Sequence, residues 1–132
     1  MLTIYTAPSC TSCKKAKSWL SQHHINFNER NIIANPLSVD EVTKILEKCD
    51  DGVEGLVSSR NRFVKTLGVD FEDLSMTTAI KIISENPQIL RRPIIMDDKR
   101  LHVGYNEEEI RTFLPRTVRM LENGGQRLRS AI

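Results

Sequence analysis

The feature that most constrains this chain is a pair of cysteines, Cys10 and Cys13, placed between a predicted strand and a predicted helix. Residues 2–5 alternate in polarity, which predicts the strand. Apolar residues at positions 16, 19 and 20 share one helical face, which predicts an amphipathic helix behind the cysteines. The chain therefore begins with the order of strand, CxxC and helix that is typical of thiol redox folds.

Cysteines at the start of a helix have a distinctive chemistry. Free amides and the positive end of the helix dipole stabilise a thiolate there, and Lys14 and Lys15 add positive charge. We expect such a cysteine to have a pKa below the free value of about 8.5. The spacing also suits a disulfide, so we predict a redox pair in which Cys10, the more exposed residue, is the attacking thiolate. The alternative is that Cys10 and Cys13 are reduced, structural cysteines.

Length and composition indicate the class of protein. A chain of 132 residues suffices for one domain with one large core, and 27% charged with 5% aromatic residues is typical of a soluble α/β protein. The net charge of +2 is too small to indicate nucleic-acid binding. There is no secretory signal, no apolar run of membrane-spanning length, and too few cysteines for a disulfide scaffold. These features predict a cytoplasmic protein that does not bind a membrane.

The middle of the chain, residues 36–87, is predicted to contain helices only. Ser38 and Glu41 have the spacing of a capping box, which starts a helix. Cys49 continues the apolar face of that helix, which predicts a small buried side chain rather than a resolving cysteine. Gly52 is predicted to end the helix as a left-handed C-cap.

Two further apolar stripes within this stretch predict two more helices that face the core. They consist of Leu56, Phe63, Val64 and Leu67, ended by Gly68, and of Met76, Ala79, Ile80 and Ile83. The neighbouring His23 and His24 do not share a helical face, and a single CxxC with scattered histidines is not a zinc pattern. We therefore predict no metal site and no cofactor.

Strands return towards the end of the chain, where residues 91–104 predict an antiparallel hairpin. A capping box at Asn106 and Glu109 then predicts a helix that Pro115 stops. Together with a strand at residues 27–33, parallel to the first strand, these elements predict an α/β, thioredoxin-like fold.

The predicted fold has a mixed four-stranded sheet within a single domain, residues 1–132. The thioredoxin-like part covers residues 1–35 and 88–120, the helical insertion covers residues 36–87, and residues 121–132 form a mobile tail.

Several blocks of this sequence together resemble the Spx branch of the arsenate reductase (ArsC) family, a group of redox-responsive transcription regulators. The blocks are residues 5–16, 29–32, 51–52, 91–95, 99–107 and 113–116. The match covers nearly the whole chain, and it implies that the thioredoxin-like fold is of the ArsC-like type.

The resemblance implies specific partners. Regulators of this kind bind the C-terminal domain of the RNA polymerase α subunit, and contact promoter DNA only together with the polymerase. They interfere with activator contacts and activate thiol and oxidative stress genes. The resemblance makes a Cys10–Cys13 disulfide the switch. It also implies degradation by the Clp protease, helped by an adaptor.

Three further residues acquire expected roles from the resemblance. Gly52 matches a glycine at the α-subunit interface, which is a second interpretation beside the helix C-cap. Arg92 matches an arginine that supports the thiol, and analogy with thioredoxin folds predicts a cis peptide bond before Pro93. Arg60 is a candidate to hold an oxyanion or to support that site from behind. Arg62, beside the expected interface, is the candidate DNA contact.

The alternative function is that of a glutaredoxin-coupled arsenate reductase with Cys10 as its nucleophile. Arg60 and Arg92 match two of the three arginines that hold the oxyanion in such enzymes. Tyr105 occupies the third position, and one lost charge-assisted contact weakens binding by about 1.5–3 kcal/mol. The enzymes also lack a counterpart of Cys13, so the regulator is favoured. A general thioredoxin-type reductase fits less well, because threonine and serine separate the cysteines and no aromatic residue precedes them.

Overall fold

The computed structural model describes residues 2–58 and 60–114, and its elements follow the predicted order. The strands are β1 (Leu2–Thr6), β2 (Phe27–Asn31), β3 (Ile94–Met96) and β4 (Leu101–Val103). The α-helices are α1 (Thr11–Gln22), α2 (Val39–Lys48), α3 (Val53–Leu56), α4 (Arg62–Leu67) and α5 (Met76–Glu85). Short 3₁₀ helices cover Phe71–Asp73, Pro87–Ile89 and Glu109–Phe113.

The four strands form one mixed sheet in the order β2-β1-β3-β4. β1 is parallel to β2 and antiparallel to β3, with Tyr5 opposite Arg30 on one side and Ile94 on the other. β3 and β4 form the predicted antiparallel hairpin. α1 joins the parallel pair, so β1, α1 and β2 make a βαβ unit. The predicted α/β fold with a mixed four-stranded sheet is confirmed.

Each face of the sheet has its own core, because side chains alternate along a strand. Ile4 and Ile95 belong to a cluster with the apolar face of α1 and the last 3₁₀ helix. Tyr5 and Ile94 belong to a larger cluster with the helices that lie between β2 and β3. The helix that carries the cysteines and the helical insertion therefore cover opposite faces of one sheet.

The start of α2 is as predicted, whereas its end is not. Ser38 Oγ accepts the Glu41 N–H at 3.2 Å, and Glu41 Oε1 accepts the Ser38 N–H at 3.1 Å, which is the predicted capping box. Cys49, not Gly52, is the C-cap of α2. Gly52 instead precedes α3, with φ 65° and ψ −145°, because the chain makes two consecutive turns that meet at this residue. Cys49, predicted to be buried, is half-buried and packs against the larger cluster.

The predicted single helix over residues 56–67 is wrong. Val57 is extended and pairs with Leu90 in an isolated antiparallel bridge, which interrupts the helical pattern. Asn61 then caps a separate helix, α4, by accepting the Phe63 N–H at 2.7 Å. Phe63 consequently lies at the surface with 38% of its area exposed, so its assignment to the core is also wrong.

The predicted helix that begins with Met76 is present as α5, but Met76 itself is 56% exposed at the first turn. The core contacts of α5 come from the later residues, such as Ile83, which is 1% exposed. None of the helices in the described part of the chain is long and apolar enough to cross a membrane.

After β4, the side chain of Asn106 accepts the N–H groups of Glu108 and Glu109 at 2.9 and 3.1 Å. The last helix is a 3₁₀ helix, and its N-cap is Glu108 rather than the predicted Asn106. That helix ends before the proline, as predicted. Residues 115–132, and with them the predicted mobile tail at residues 121–132, lie outside the described part of the chain.

Candidate redox site

The two cysteines lie at the first turn of α1. Cys10 is the N-cap, and its Sγ accepts a hydrogen bond from the N–H of Cys13 at 3.2 Å. The two Cα atoms are 5.2 Å apart, and the sulfurs lie at disulfide distance. Cys10 is half-buried, whereas Cys13 is 2% exposed. The pair is therefore placed to form a disulfide, and Cys10 is the sulfur that an external thiol or oxidant reaches more easily.

The loop before Cys10 brings the cysteines to the carboxyl end of β1. Ser9 has a positive φ of 59°, which turns the chain between Thr6 and the start of α1. The Lys14 N–H donates to the Cys10 carbonyl at 3.2 Å and so begins the helical ladder. The remaining free N–H groups of the first turn lie at the end where Cys10 is placed, and they stabilise negative charge on sulfur.

Arg92 precedes β3 at the same end of the sheet. β1 and β3 are antiparallel, with Tyr5 opposite Ile94, so Arg92 lies beyond the carboxyl end of β1, as Cys10 does. The Arg92-Pro93 bond is cis, which confirms that prediction. Arg92 is half-buried. Its role beside the thiol stays a prediction.

The Glu29 carboxylate on β2 accepts hydrogen bonds that hold α1 against the sheet. Glu29 accepts hydrogen bonds from Lys17 Nζ, at 3.0 Å to Oε2 and 3.2 Å to Oε1, and from Thr6 Oγ1 at 2.9 Å. The bonds from Lys17 and Thr6 lower the pKa of Glu29 below its ordinary value. This network joins β1, α1 and β2 just behind the loop that carries Cys10.

The next residue of β2 is tied to the helical insertion instead. Arg30 donates to the carboxylate of Glu41, to the carbonyl of Asn35 at 3.1 Å and to the carbonyl of Pro36 at 2.8 Å. Burial by itself raises the pKa of Glu41, but hydrogen bonds from Ser38 and Arg30 outweigh burial, so the net pKa is lowered. The start of α2 is therefore fixed to the end of β2.

Gly52 occupies the turn between α2 and α3. Its φ of 65° and ψ of −145° fall in a region that essentially only glycine adopts without strain. A Cβ built on Gly52 meets nothing within 4 Å. The backbone, rather than internal packing, therefore requires glycine here, and the Cα faces open space.

The two remaining candidate arginines are exposed residues of the helical insertion. Arg60 contributes to the wall of an open cleft between that insertion and β4, together with Cys49 and His102. Neither cysteine of the CxxC motif lines this cleft. The Arg62 guanidinium lies 5.1 Å from the centroid of the Phe63 ring, in cation–π geometry. Both arginines are accessible to a partner.

Comparison with known sequences identifies the family. The model of the ArsC family matches residues 5–113. The chain belongs to the ArsC family. The global transcriptional regulator Spx 2 of Lactococcus lactis subsp. lactis is 83% identical to it over 132 residues, the full length of both chains. The global transcriptional regulator Spx of Bacillus subtilis is 51% identical over 122 residues, which cover 92% of this chain and 93% of that one. The predicted resemblance to the Spx branch of the ArsC family is confirmed.

Solved structures share the ArsC fold. The arsenate reductase from Vibrio cholerae has a TM-score of 0.78 and 19% identity, covering 86% of this chain and 97% of that one. A Staphylococcus aureus protein solved by NMR has a TM-score of 0.77 and 19% identity, covering 87% and 100%. At such low identity these likenesses establish the fold alone.

Tyr105 stands where the arsenate reductases of the ArsC family, by resemblance, carry a third oxyanion arginine. It is half-buried, packs against the core cluster under α1, and lines a shallow depression with Thr11 and Lys14. Burial, followed by the charge of Glu107, raises the pKa of the Tyr105 hydroxyl. The hydroxyl is neutral near pH 7 and offers no positive charge to an oxyanion.

The adjacent histidines are not arranged as metal ligands. His23 stacks on Trp19 with ring centroids 3.9 Å apart, and its Nδ1 lies 2.8 Å from the Trp19 carbonyl oxygen. Within residues 2–58 and 60–114, no group of three or more His, Cys, Asp or Glu side chains is placed to hold a metal ion.

The bracing role of Glu29 was not predicted from the sequence. The available signal was the pair of opposite charges, Glu29 and Arg30, at successive positions of a strand. Because successive side chains point to opposite faces, such a pair indicates one charged contact on each face of the sheet.

Proposed function

We propose that this chain is a redox-sensing transcriptional regulator that binds the C-terminal domain of the RNA polymerase α subunit. In this proposal it interferes with activator contacts, activates thiol and oxidative stress genes, and is switched by the Cys10–Cys13 disulfide. The observation that carries the proposal is the cysteine pair at disulfide distance at a helix start. It is supported by 83% identity over the full length to a protein named as a global transcriptional regulator. The chain acts in the cytoplasm and not as an enzyme.

The switch acts through the start of α1. Closing the disulfide fixes the N-cap of this helix, and opening it frees Cys10 as a thiolate. Lys17 links α1 to Glu29 on β2, and the next residue, Arg30, links β2 to α2 through Glu41. Only about 1–3 kcal/mol of coupling is needed for a regulatory response.

The partner surface includes Gly52 at the far end of α2. A glycine in a surface turn lets another backbone approach closely, because no Cβ stands in the way. The open space beside the Gly52 Cα supports this role. A larger side chain at this position both strains the turn and blocks the approach.

The arginines have supporting roles in the proposal. Arg92 stabilises the Cys10 thiolate or an anionic oxidised sulfur. Arg60 holds an oxyanion or supports the residues that do. Arg62 contacts promoter DNA only within the polymerase complex, since a chain with a net charge of +2 has little affinity for DNA by itself. The Clp protease and an adaptor keep the protein scarce through its C-terminal end.

The decisive experiment is a titration of the purified protein with the isolated C-terminal domain of the α subunit, first oxidised and then reduced. We expect saturable binding, with different dissociation constants in the two redox states. Gly52→Arg is expected to abolish binding. Gly68→Arg is the matched control, because Gly68 also has a positive φ, of 64°, with open space at its Cβ position. We expect it to lower stability and to leave binding unchanged.

The same experiment also tests the alternative function, that of a glutaredoxin-coupled arsenate reductase. If neither redox state binds the α-subunit domain, arsenate reduction is assayed with glutaredoxin as the reductant. Turnover that depends on Cys10, in the absence of polymerase binding, would replace the regulator with an arsenate reductase.

A further inference from the structure

Two glycines three residues apart, Gly52 and Gly55, are required for different reasons. Gly52 has a left-handed φ and open space around its Cα. Gly55 lies within α3 and has no left-handed φ, but a Cβ there would be 2.6 Å from Cys49 Sγ and 3.0 Å from Asp51 Cβ. Atoms do not approach that closely in a packed interior. Glycine is therefore needed at position 55 because the Cys49 sulfur fills the space of its missing side chain.

The Cys49 sulfur is itself directed at Gly52. Its thiol donates to the Gly52 carbonyl at 3.4 Å. The same carbonyl accepts the Gly55 N–H at 3.1 Å, and the Gly52 N–H donates to the Cys49 carbonyl at 3.3 Å. Both polar groups of the Gly52 backbone are thus held by these two residues, one on each side along the chain.

The order of the Gly52 turn in the free protein affects the free energy of partner binding. Glycine loses more conformational freedom on ordering than any other residue. A turn that is ordered only when a partner binds adds that loss to the cost of association. Cys49 is half-buried and packs against the larger core cluster. It therefore connects the turn to the core cluster.

We propose that Cys49 and Gly55 are positioning residues, which together hold the turn of Gly52 in its partner-binding conformation. The Cys49 thiol acts here as a wedge and hydrogen-bond donor and takes no part in the redox switch. This inference rests on the proposed function, because it deepens the role of Gly52 at the polymerase interface.

The test uses a steric change and its compensation. Gly55→Ala inserts a methyl group against Cys49 Sγ and the Asp51 side chain, so either residue 55 or these two residues, which precede Gly52, must move. We expect binding of the α-subunit domain to weaken about tenfold. In the double variant Cys49→Ala/Gly55→Ala the sulfur is gone, and we expect the steric part of that loss to be recovered while the effect of the missing thiol hydrogen bond remains.

The expected rescue separates positioning from simple destabilisation. Alanine is ordinarily a better helix residue than glycine, so an α3 without the steric contact would be unharmed by Gly55→Ala. Gly68→Ala is the control, since it strains a left-handed glycine in open space at the end of α4. We expect it to lower the melting temperature without changing the dissociation constant. Wild-type affinity in Gly55→Ala, or equal weakening in the single and double variants, would overturn the inference.

A second readout does not depend on the polymerase. Amide hydrogen exchange reports directly on the Gly52 and Gly55 N–H groups that close the two turns. We expect faster exchange of both amides in Gly55→Ala and slower exchange in the double variant, where the steric contact is relieved. If the wild type does not bind the α-subunit domain, the proposed function fails while this exchange pattern still decides the positioning role. Unchanged exchange in Gly55→Ala would overturn it.

Discussion

The ammonium group of Lys17 lies between the two carboxylate oxygens of Glu29, 3.0 Å from Oε2 and 3.2 Å from Oε1. A helix that begins with Cys10 is thereby tied to the edge strand of the sheet. The same carboxylate accepts the hydroxyl of Thr6, which is 3% exposed and lies just before the cysteine loop. Three elements that surround the redox pair therefore meet at one side chain.

Glu29→Gln is expected to lower the free energy of unfolding near neutral pH by about 0.2–1 kcal/mol, the range for a solvent-exposed ion pair. Because the pKa of Glu29 is lowered in the fold from an ordinary 4.5, its contribution is complete above that value and disappears as the pH falls through the folded pKa. Urea unfolding should therefore show wild type and variant converging in acid. A gap that persists at about pH 2 would contradict this. Glu47→Gln, at an exposed glutamate of α2, is the control.

Cys10→Ala is expected to keep the fold and to remove all dependence of partner binding on redox state. The substitution deletes one of the two sulfurs, so no disulfide forms and the helix start has a single state. The measurement is the dissociation constant for the α-subunit domain under oxidising and reducing conditions. Cys49→Ala is the matched control, since it removes the free cysteine and should leave the difference between redox states in place. Redox dependence in Cys10→Ala would refute the switch.

His102 makes stability depend on pH at higher pH values than Glu29 does. Its Nε2 lies 2.7 Å from Thr112 Oγ1, and its ring packs edge-on against Phe113 at 5.1 Å. Burial, aided by Arg100, lowers the pKa of His102 below 6.5, although Glu109 acts against this.

Since the unfolded chain takes up a proton at His102 before the folded protein does, stability should fall as the pH drops from about 6.5 through the folded pKa. His102→Gln should reduce that slope. Urea unfolding at a series of pH values measures it, and identical slopes in wild type and variant would show that His102 does not contribute.

Two residues of α5 provide a matched test of the packing. Ile83 is 1% exposed and Met76 is 56% exposed on the same helix. Ile83→Ala should cost about 2–5 kcal/mol of unfolding free energy through lost burial and a residual cavity. Met76→Ala should change it by less than about 0.5 kcal/mol. Similar costs for the two variants, measured by chemical denaturation, would mean that the first turn of α5 is covered.

The features that the sequence predicted well depend on local rules. A capping box needs only Ser38 and Glu41 at the right spacing, and a helix start behind Cys10 needs only an apolar stripe. The pairing of β1 with β2 and of β3 with β4 followed from βαβ and hairpin rules, which concern neighbouring elements. The cis bond before Pro93 was predicted by analogy with thioredoxin folds and not from composition.

The features that the sequence did not predict depend on contacts between distant segments. Val57 is extended and pairs with Leu90, which lies in a different part of the chain. No local pattern therefore indicates that the predicted helix is interrupted at Val57. The exposure of Met76 depends on how α5 lies against its neighbours. Gly55 resembles an ordinary helix-weakening glycine until the Cys49 sulfur is found in the space of its missing side chain. Periodicity shows which residues share one face of a helix, but it does not show which of those residues other segments bury.

The position of β1 in the sheet affects how the nascent chain folds during synthesis. β1 lies between β2 and β3, and Thr3 pairs with Met96. During synthesis, the segment that carries both cysteines emerges before the helical insertion, and β3 follows only after the whole insertion has been made. Pairings so distant along the chain form late. A growing polypeptide therefore presents its thiols before the sheet beneath them is complete, and an oxidant that meets the ribosome-bound chain acts on an unfinished domain.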